Sequence, residues 1–134
     1  MIGLDTNVLV RMITADDPPQ YARVVAFLEA HRTAPGEPPG LYVSPLAACE
    51  LAWVLRRTYG RSRSEVLDAL EGLLTSRDLV VGDREAIQAA TAGCRAGRGE
   101  FVDFYLRESC LRAGCTAVAT FEKRLAREQG FRPV

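Results

Sequence analysis

The sequence predicts an α/β fold of three layers, α/β/α, built around a central parallel sheet. Segments with strand character alternate with segments of helical periodicity along the chain, which is typical of βαβ units. The strand segments are continuous apolar runs, as expected for parallel strands that are covered on both faces. With 134 residues, the chain is long enough for one hydrophobic core. We therefore expect a single domain over residues 1–134.

The first forty residues predict one strand, two helices and a loop. Residues 1–4 are apolar and predict a buried strand, and "TNVLVRMI" predicts a short helix directly after it. Asp16 or Asp17 is expected to cap a second helix, "YARVVAFLEAHR", because a proline in the first helical turn follows. "TAPGEPPG", residues 33–40, contains three prolines and two glycines and predicts a loop.

The middle of the chain predicts a second strand, a third helix and a fourth helix. "LYVS" is the strand, and Ser44 with Pro45 is a favourable start for a helix that runs to about Tyr59 and ends at Gly60. "SRSEVLDALEGLLTS" predicts the next helix, which either Ser62 or Ser64 is expected to cap.

The last third of the chain continues the alternation of strands and helices. "DLVVGD" predicts the third strand, and Asp83 is expected to cap a helix over "REAIQAATAGCRA". "GRG" interrupts the chain before a helix that ends at Gly114. "TAVAT" predicts a fourth strand, "FEKRLAREQG" a last helix, and "FRPV" a short edge strand.

Composition excludes some functional classes. The formal net charge is zero, so no global field attracts nucleic acid or membranes, and no apolar run approaches the roughly 20 residues of a membrane span. Because charged residues enter as early as Asp5 and Arg11, we expect no signal peptide. The cysteines have no zinc-binding spacing and predict reduced core thiols in a cytoplasmic protein; they are Cys49, Cys94, Cys110 and Cys115.

Four acidic residues stand in apolar surroundings. Glu50 lies in "LAACELAWVL", a helix that is apolar almost all round and is therefore expected to be buried, where an unpaired charge costs several kcal/mol. Asp5 ends the first strand, Asp103 lies in "EFVDFYL", and Glu122 follows the fourth strand. Because ligands of open parallel sheets bind beyond the carboxyl ends of the strands, we expect these acids to converge there.

A divalent cation would relieve the repulsion among such acids. Carboxylate oxygens suit Mg²⁺ or Mn²⁺, whereas the only histidine, His31, leaves no ligand set for zinc. Each acid also has a simpler explanation. Asp5 can cap the first helix, Glu50 can reach solvent or pair with Arg11 or Arg107, and Asp103 and Glu122 can each favour a helix N-terminus.

The motifs then suggest a family. "MIGLDTNVLVRMIT" resembles the opening of PIN-domain ribonucleases, especially the VapC toxins of bacterial toxin–antitoxin pairs. "SPLAACELAWVLRR", "EFVDFYLRESCLRAGC" and "TAVATFEKRL" extend the resemblance over essentially the whole chain. The resemblance implies a PIN-like fold, a Mg²⁺- or Mn²⁺-dependent endoribonuclease activity, an RNA substrate, a small cognate antitoxin and a homodimer.

The resemblance also implies which residues form the site. The metal-binding acids of the family fall on Asp5, Glu50 and Asp103, and its fourth acidic position falls on Glu122, where the family usually has aspartate. Thr6 and Asn7 match the family motif and are expected to orient Asp5 or contact the scissile phosphate. The arginines that are candidates for holding flanking phosphates are Arg11, Arg56, Arg57, Arg95, Arg98 and Arg107, among which Arg98 and Arg107 are the substrate-binding residues we select.

Three other functions compete with the nuclease. A phosphatase with Asp5 as nucleophile would resemble the haloacid-dehalogenase class, but the second acid of its D-x-D motif is Asn7 here. A receiver domain is disfavoured, because it needs a paired acid cluster and a lysine after a strand, and Lys123 is the only lysine. A catalytically weak or inert protein that acts by binding an antitoxin is favoured only by the substitution at Glu122.

Overall fold

The computed structural model describes residues 1–134 and has the α/β/α layers that the sequence predicts. The five strands are β1 (Ile2–Leu4), β2 (Leu41–Val43), β3 (Leu79–Val81), β4 (Val118–Thr120) and β5 (Phe131–Pro133). The six α-helices are α1 (Thr6–Thr14), α2 (Pro18–Ala30), α3 (Pro45–Arg57), α4 (Arg63–Thr75), α5 (Arg84–Ala96) and α6 (Phe101–Arg112).

The central sheet is parallel and contains β1, β2 and β3 in that order. Leu4 pairs with Val43, and Val43 pairs with Val81, so the carboxyl ends of the three strands are level. The residues that follow these strands, Asp5 and Ser44 among them, therefore lie along one edge of the sheet. Both begin helices there, which confirms the expected position of Asp5 at the carboxyl end of the first strand.

Local capping explains where several helices begin. Asp17 accepts a hydrogen bond from the amide of Gln20 (3.0 Å), and Ser44 accepts one from the amide of Ala47 (3.1 Å). Ser62 does the same at the start of α4, within a capping box. These side chains satisfy amides that have no partner inside the helix, and the predicted starts of α2, α3 and α4 are confirmed.

The hydrophobic core lies between the central sheet and the helices. β2 is its middle strand, and both Leu41 and Val43 are fully buried. The helices contribute the other large side chains that are almost completely buried, among them Leu51 of α3 and Phe101 and Phe104 of α6. The exposed large side chains include Leu46 and Trp53, which lie on α3 as well. One face of α3 is therefore in the core and another faces solvent.

The C-terminal segment departs from the prediction in two ways. β4 pairs only with β5, in a separate parallel pair, and does not extend the central sheet. The predicted helix over residues 121–130 is wrong, since only a short 3₁₀-helix, Leu125–Arg127, forms there. The amide of Glu122 binds the hydroxyl of Thr120, and the amide of Arg124 binds the carboxylate of Glu122; such local bonds compete with helix formation.

Two smaller predictions are also corrected. Asp83 precedes α5, but its side chain makes no capping bond and instead accepts the hydroxyl of Tyr105 (3.0 Å). Burial and this acid together raise the pKa of Tyr105 to about 12, so the phenol stays protonated.

All four cysteines are free, and Cys94 is buried, but Cys115 is exposed and is not a core thiol. No helix of the chain is both long and apolar enough to cross a membrane.

A polar network joins the C-terminal parts of α1 and α3. The guanidinium of Arg11 donates to the hydroxyl of Tyr59 and to Asp16 (both 3.0 Å), and Tyr59 in turn donates to Asp16 (2.7 Å). The hydrogen bond from Tyr59, followed by one from Thr14, lowers the pKa of Asp16. The network therefore ties the turn after α1 to the residues that follow α3.

The shifted pKa of Asp16 predicts that the contribution of Tyr59 to stability depends on pH. A carboxyl whose pKa is lowered by folding stabilises the fold above its unfolded pKa, and this stabilisation is lost as pH falls through the folded pKa. We expect Tyr59→Phe to lower the melting temperature at neutral pH, and we expect the deficit to shrink as the pH falls below the ordinary value of 3.8. Thermal unfolding at a series of pH values measures this difference.

The matched control is Tyr21→Phe, because Tyr21 is an exposed tyrosine on α2. We expect this variant to have the same melting temperature as the unmodified protein at every pH. A deficit for Tyr59→Phe that is the same at neutral and acid pH would contradict the assigned role of the Tyr59–Asp16 hydrogen bond.

Candidate functional site

Asp5 begins α1 at the point where β1 ends. Its backbone is extended (φ −81°, ψ 167°), and its Oδ1 atom accepts the amide hydrogen of Val8 (2.9 Å). The simpler explanation of Asp5 as a helix cap is therefore correct as far as Oδ1 is concerned. Its Oδ2 atom takes part in no hydrogen bond or ion pair within the chain, and the residue is exposed. Capping orients this carboxylate and leaves one oxygen free.

Glu50 lies beside the same helix N-terminus. The hydroxyl of Thr6, the first residue of α1, donates to the Oε2 atom of Glu50. Glu50 is exposed, so the expectation of a charge buried in an apolar helix is wrong: it lies on the solvent face of α3. It pairs with neither Arg11 nor Arg107, whose acidic partners are elsewhere. The Thr6 hydrogen bond brings Glu50 next to the residue that follows Asp5.

Asp103 is held by the start of α6. Its Oδ2 atom accepts the amide hydrogen of Glu100 (2.9 Å), and its Oδ1 atom has no partner in the chain. Glu100 is itself fixed, because both of its carboxylate oxygens accept hydrogen bonds from the guanidinium of Arg56 (3.1 and 3.2 Å). Arg56 belongs to α3, so the helix that carries Glu50 also positions the first turn of the helix that carries Asp103.

The loop before α6 is anchored by a second arginine. One guanidinium nitrogen of Arg63 donates to the carbonyl oxygens of Gly97 (2.9 Å) and Gly99 (2.8 Å). The amide of Arg98, between them, donates to the carboxylate of Glu128 (3.0 Å). At Gly99, any side chain would collide with Phe104 and Leu125. The "GRG" segment is therefore a packed connection that fixes where α6 begins.

Glu122 differs from the other three acids. It follows β4, which lies outside the central sheet, and it is exposed. Its Oε1 atom accepts the amide of Arg124 and lies 3.6 Å from the Nε atom of the same residue. Glu122 thus has a cationic partner of its own, whereas Asp5, Glu50 and Asp103 have none among the ion pairs of the chain. Its expected catalytic role stays a prediction.

The structure does not bring the four acids into one cluster. No group of three His, Cys, Asp or Glu side chains lies close enough together to hold a metal ion. Asp5 lines a cavity of about 450 Å³ together with Asn7 and Arg11, and Asp103 lines a different cavity of about 270 Å³. Glu50 is hydrogen-bonded to Thr6, the residue after Asp5, and α3 also contacts the start of α6 through Arg56 and Glu100, where Asp103 lies.

The arginines expected to hold phosphates fall into two groups. Four of the six form ion pairs within the chain; they are Arg11, Arg56, Arg95 and Arg107. The side chain of Arg107 is only 14% exposed, pairs with Glu108 (2.8 Å) and lies 4.8 Å from the ring centre of Phe104, so the structure does not favour it as a phosphate ligand. Arg57 and Arg98 are exposed and have no acidic partner.

Three residues near the acids were missed by the sequence analysis. Glu100 and Arg63 position the loop and first turn that carry Asp103, and only the folded structure brings them there. Trp53 lines the same cavity as Asp103 and is exposed; its spacing of three residues from Glu50 was a usable signal. Burial, and next the charge of Glu50, raise the pKa of Cys49 to about 11, so this thiol is protonated near neutral pH.

Comparisons with known proteins assign the chain to a family. The family model described as "PIN domain" matches residues 2–129, a span that includes all four acids. The comparison with curated proteins found no match.

The anchoring of the 97–99 loop predicts the effect of removing Arg63. Arg63→Ala leaves two carbonyl groups without their charged donor, which we expect to destabilise the fold by about 1.5–3 kcal/mol. We also expect faster amide hydrogen exchange over residues 97–103, measured by mass spectrometry. Arg32→Ala is the control, because Arg32 forms only an exposed ion pair with Glu29, and such pairs contribute little. Unchanged exchange in Arg63→Ala would contradict the anchoring role.

Proposed function

The chain belongs to the PIN-domain family, whose members are generally nucleases, and on this premise we propose that it is a metal-dependent endoribonuclease. We further propose that it is the toxin of a VapBC-type toxin–antitoxin pair. One observation carries the nuclease proposal: Asp5 and Glu50, from two segments far apart in sequence, both lie at the N-terminus of α1, Asp5 as its cap and Glu50 bound to Thr6, and neither forms an ion pair within the chain. The proposed substrate is RNA.

The carboxylates fit a hard divalent cation. Asp5, Glu50 and Asp103 each have one oxygen oriented by a hydrogen bond from the protein and one oxygen without a partner in the chain. Mg²⁺ usually binds one or two carboxylates together with waters and substrate phosphates, so the pair of Asp5 and Glu50 meets this need without a cage of three acids. A bound Mg²⁺ or Mn²⁺ would polarise the scissile phosphodiester and lower the pKa of a bound water.

The chain's own residues have separate proposed roles. Asp5 and Glu50 hold the cation, and Thr6 keeps Glu50 in place. Asp103, fixed by the amide of Glu100, supplies a third carboxylate oxygen at the start of α6. Capping by Asp5 and the hydrogen bond to Glu50 restrict both side chains before substrate arrives, so less conformational entropy is lost when the cation and RNA bind.

Contacts with the RNA backbone are proposed for residues at the rim. Asn7 is exposed and lines the cavity beside Asp5. Arg98 is exposed, and its guanidinium has no acidic partner, so it can pair with a flanking phosphate. The sequence predicts Arg107 as a second phosphate ligand, but its guanidinium already binds Glu108 and the carbonyl of Gln129. For Glu122, a contribution to a second metal position remains part of the proposal.

The partners belong to the VapC part of the proposal. A small antitoxin and a second copy of the chain would each cover apolar surface, and exposed apolar side chains are present on α2, namely Tyr21 and Val25. The four free cysteines are compatible with a cytoplasmic location, because reduced thiols persist in that compartment.

A second candidate is a catalytically inert PIN-fold protein that acts by binding an antitoxin. The absence of any group of three acids close enough to hold a metal ion favours this alternative, as does the ion pair that occupies Glu122. The phosphatase receives no such support, since Asn7 stands where its D-x-D motif has the second acid.

Metal-dependent RNA cleavage tests the proposal. We expect the purified protein, free of antitoxin, to cut single-stranded RNA with Mg²⁺ and to stop when EDTA is added. Asp5→Asn and Glu50→Gln are expected to lower the cleavage rate by roughly 100-fold or more, because each removes a negatively charged ligand. Asparagine is as good a helix cap as aspartate, so Asp5→Asn should remain folded.

The control variant is Glu37→Gln, an exposed acid in the loop between α2 and β2, for which we expect the unmodified rate. Cleavage that persists without metal or in Asp5→Asn would overturn the proposed site. Release of phosphate from small monoesters without RNA cleavage would support the phosphatase. Antitoxin binding with neither metal binding nor cleavage would support the inert protein.

A further inference from the structure

Helix α3 has a solvent face that combines apolar and charged side chains. Leu46, Glu50, Trp53 and Arg57 are spaced by four, three and four residues, which places them on one side of a helix, and all four are exposed. Tryptophan is highly buried on average in folded proteins, yet Trp53 is 58% exposed. The opposite face of α3 supplies buried core residues such as Leu51 and Leu55, so exposure of Trp53 is not a result of poor packing of the helix.

The indole of Trp53 has no partner in the fold. None of the three aromatic pairs of the chain includes it, and the one cation–π contact is between Arg107 and Phe104. Trp53 and Arg57 line the same cavity of about 270 Å³ as Asp103. Glu50 lies about one helical turn from Trp53, or roughly 4.5 Å along the axis.

The two neighbouring arginines of this cavity differ in whether they bind an acidic partner. Arg56 is fixed by two hydrogen bonds to Glu100, whereas Arg57 has no acidic partner. An exposed aromatic ring beside a free guanidinium can accept a base on the ring and a phosphate on the cation. Stacking on aromatic side chains is a general way to bind unpaired bases, and a base inside a duplex is not available to it.

We propose that Trp53 is a stacking platform for one unpaired base of the RNA substrate, and that Arg57 binds a phosphate next to that base. The proposal rests on the nuclease function proposed above and adds to it a subsite for one unpaired base, which is bound with little sequence preference because every base has a π face. The stacked base would hold the adjacent phosphodiester near Glu50 and Asp103.

A nucleotide suits this face better than another protein does. A protein partner seated on Leu46 and Trp53 would also cover Glu50, whose charge would then need a cation in the partner to offset its desolvation. A single base with its phosphate needs only the aromatic ring and the guanidinium, both of which are free, and it leaves Glu50 open to water. Coverage of Trp53 by a protein is a distinct outcome of the test.

Fluorescence provides a direct measurement, because Trp53 is the only tryptophan of the chain. We expect a short single-stranded RNA to quench the emission of the Asp5→Asn protein in Mg²⁺, where the strand is not cut. An abasic strand of the same length and a fully paired duplex should not quench it. Binding detected by the anisotropy of labelled RNA with no change in tryptophan emission would overturn the proposal, as would equal quenching by the abasic strand.

Substitution gives an independent test. In the same Asp5→Asn background, Trp53→Leu is expected to weaken binding of single-stranded RNA by roughly 5- to 100-fold, whereas Trp53→Phe, which keeps an aromatic ring, should bind within a few-fold of the parent. Tyr21→Leu is the control, since it removes an exposed aromatic ring on α2 that does not line this cavity. Arg57→Gln is expected to weaken binding and to reduce its salt dependence.

The failures of the two proposals are distinguishable. If Mg²⁺-dependent cleavage requires Asp5 but Trp53→Leu binds RNA as tightly as the parent, the nuclease proposal stands and the stacking platform is overturned. If Trp53→Leu changes the oligomeric state and leaves RNA binding intact, the face is a protein interface and the platform is again overturned. If the protein neither binds nor cuts RNA, both proposals are overturned.

Discussion

The alignment of α1 against α3 is the constraint on which the candidate site depends. The hydrogen bond from Thr6 to Glu50 joins the N-terminal end of α1 to the middle of α3, and the contacts of Arg11 and Asp16 with Tyr59 join the C-terminal part of α1 to the residues that follow α3. α1 follows β1 and α3 follows β2, and these strands are paired in register. Sheet pairing therefore sets where the helices begin, and the two polar contacts hold them side by side. Without this alignment, Glu50 would have no fixed relation to Asp5.

The same alignment explains how acidic residues are tolerated beside a hydrophobic core. α3 divides its residues between a buried face of small and branched side chains and an exposed face that carries Glu50. The carboxylate therefore avoids the large desolvation cost of a buried charge. It is held instead by a threonine hydroxyl at the N-terminal end of α1, where the helix dipole also favours negative charge. Asp5 benefits from the same end of the helix as its cap.

Asp103 is positioned by a longer chain of contacts. Arg56 of α3 binds Glu100, and the amide of Glu100 binds Asp103. Arg63 of α4 binds the carbonyl groups of the preceding loop. These interactions are charge-assisted hydrogen bonds, which are stronger than neutral ones. They explain why arginine, in a chain with a single lysine, occurs at positions that bind two acceptors at once, where the flat guanidinium has an advantage over an ammonium group.

The sequence by itself determined the elements of the fold and their order. Caps such as Ser44 and continuous apolar strands are local signals, so the layers, the parallel central sheet and the position of Asp5 at a strand end followed from them. The same signals failed where side chains competed with the helix for backbone amides. In residues 121–130, the hydroxyl of Thr120 and the carboxylate of Glu122 accept hydrogen bonds from backbone amides, and the predicted helix does not form. A separate strand pair was also not visible, because pairing partners are chosen by tertiary contacts.

Only the tertiary structure decided which candidate residues lie together. The acids were identifiable one by one from composition and spacing, but the face of α3 on which Glu50 lies depends on what the other face packs against. Likewise, Arg107 and Arg98 are equivalent in the sequence, yet one guanidinium is bound within the fold and the other faces solvent. The physical reason is that hydrogen bonds and burial between distant segments are set when the helices pack on the sheet, and residue spacing along the chain does not encode them.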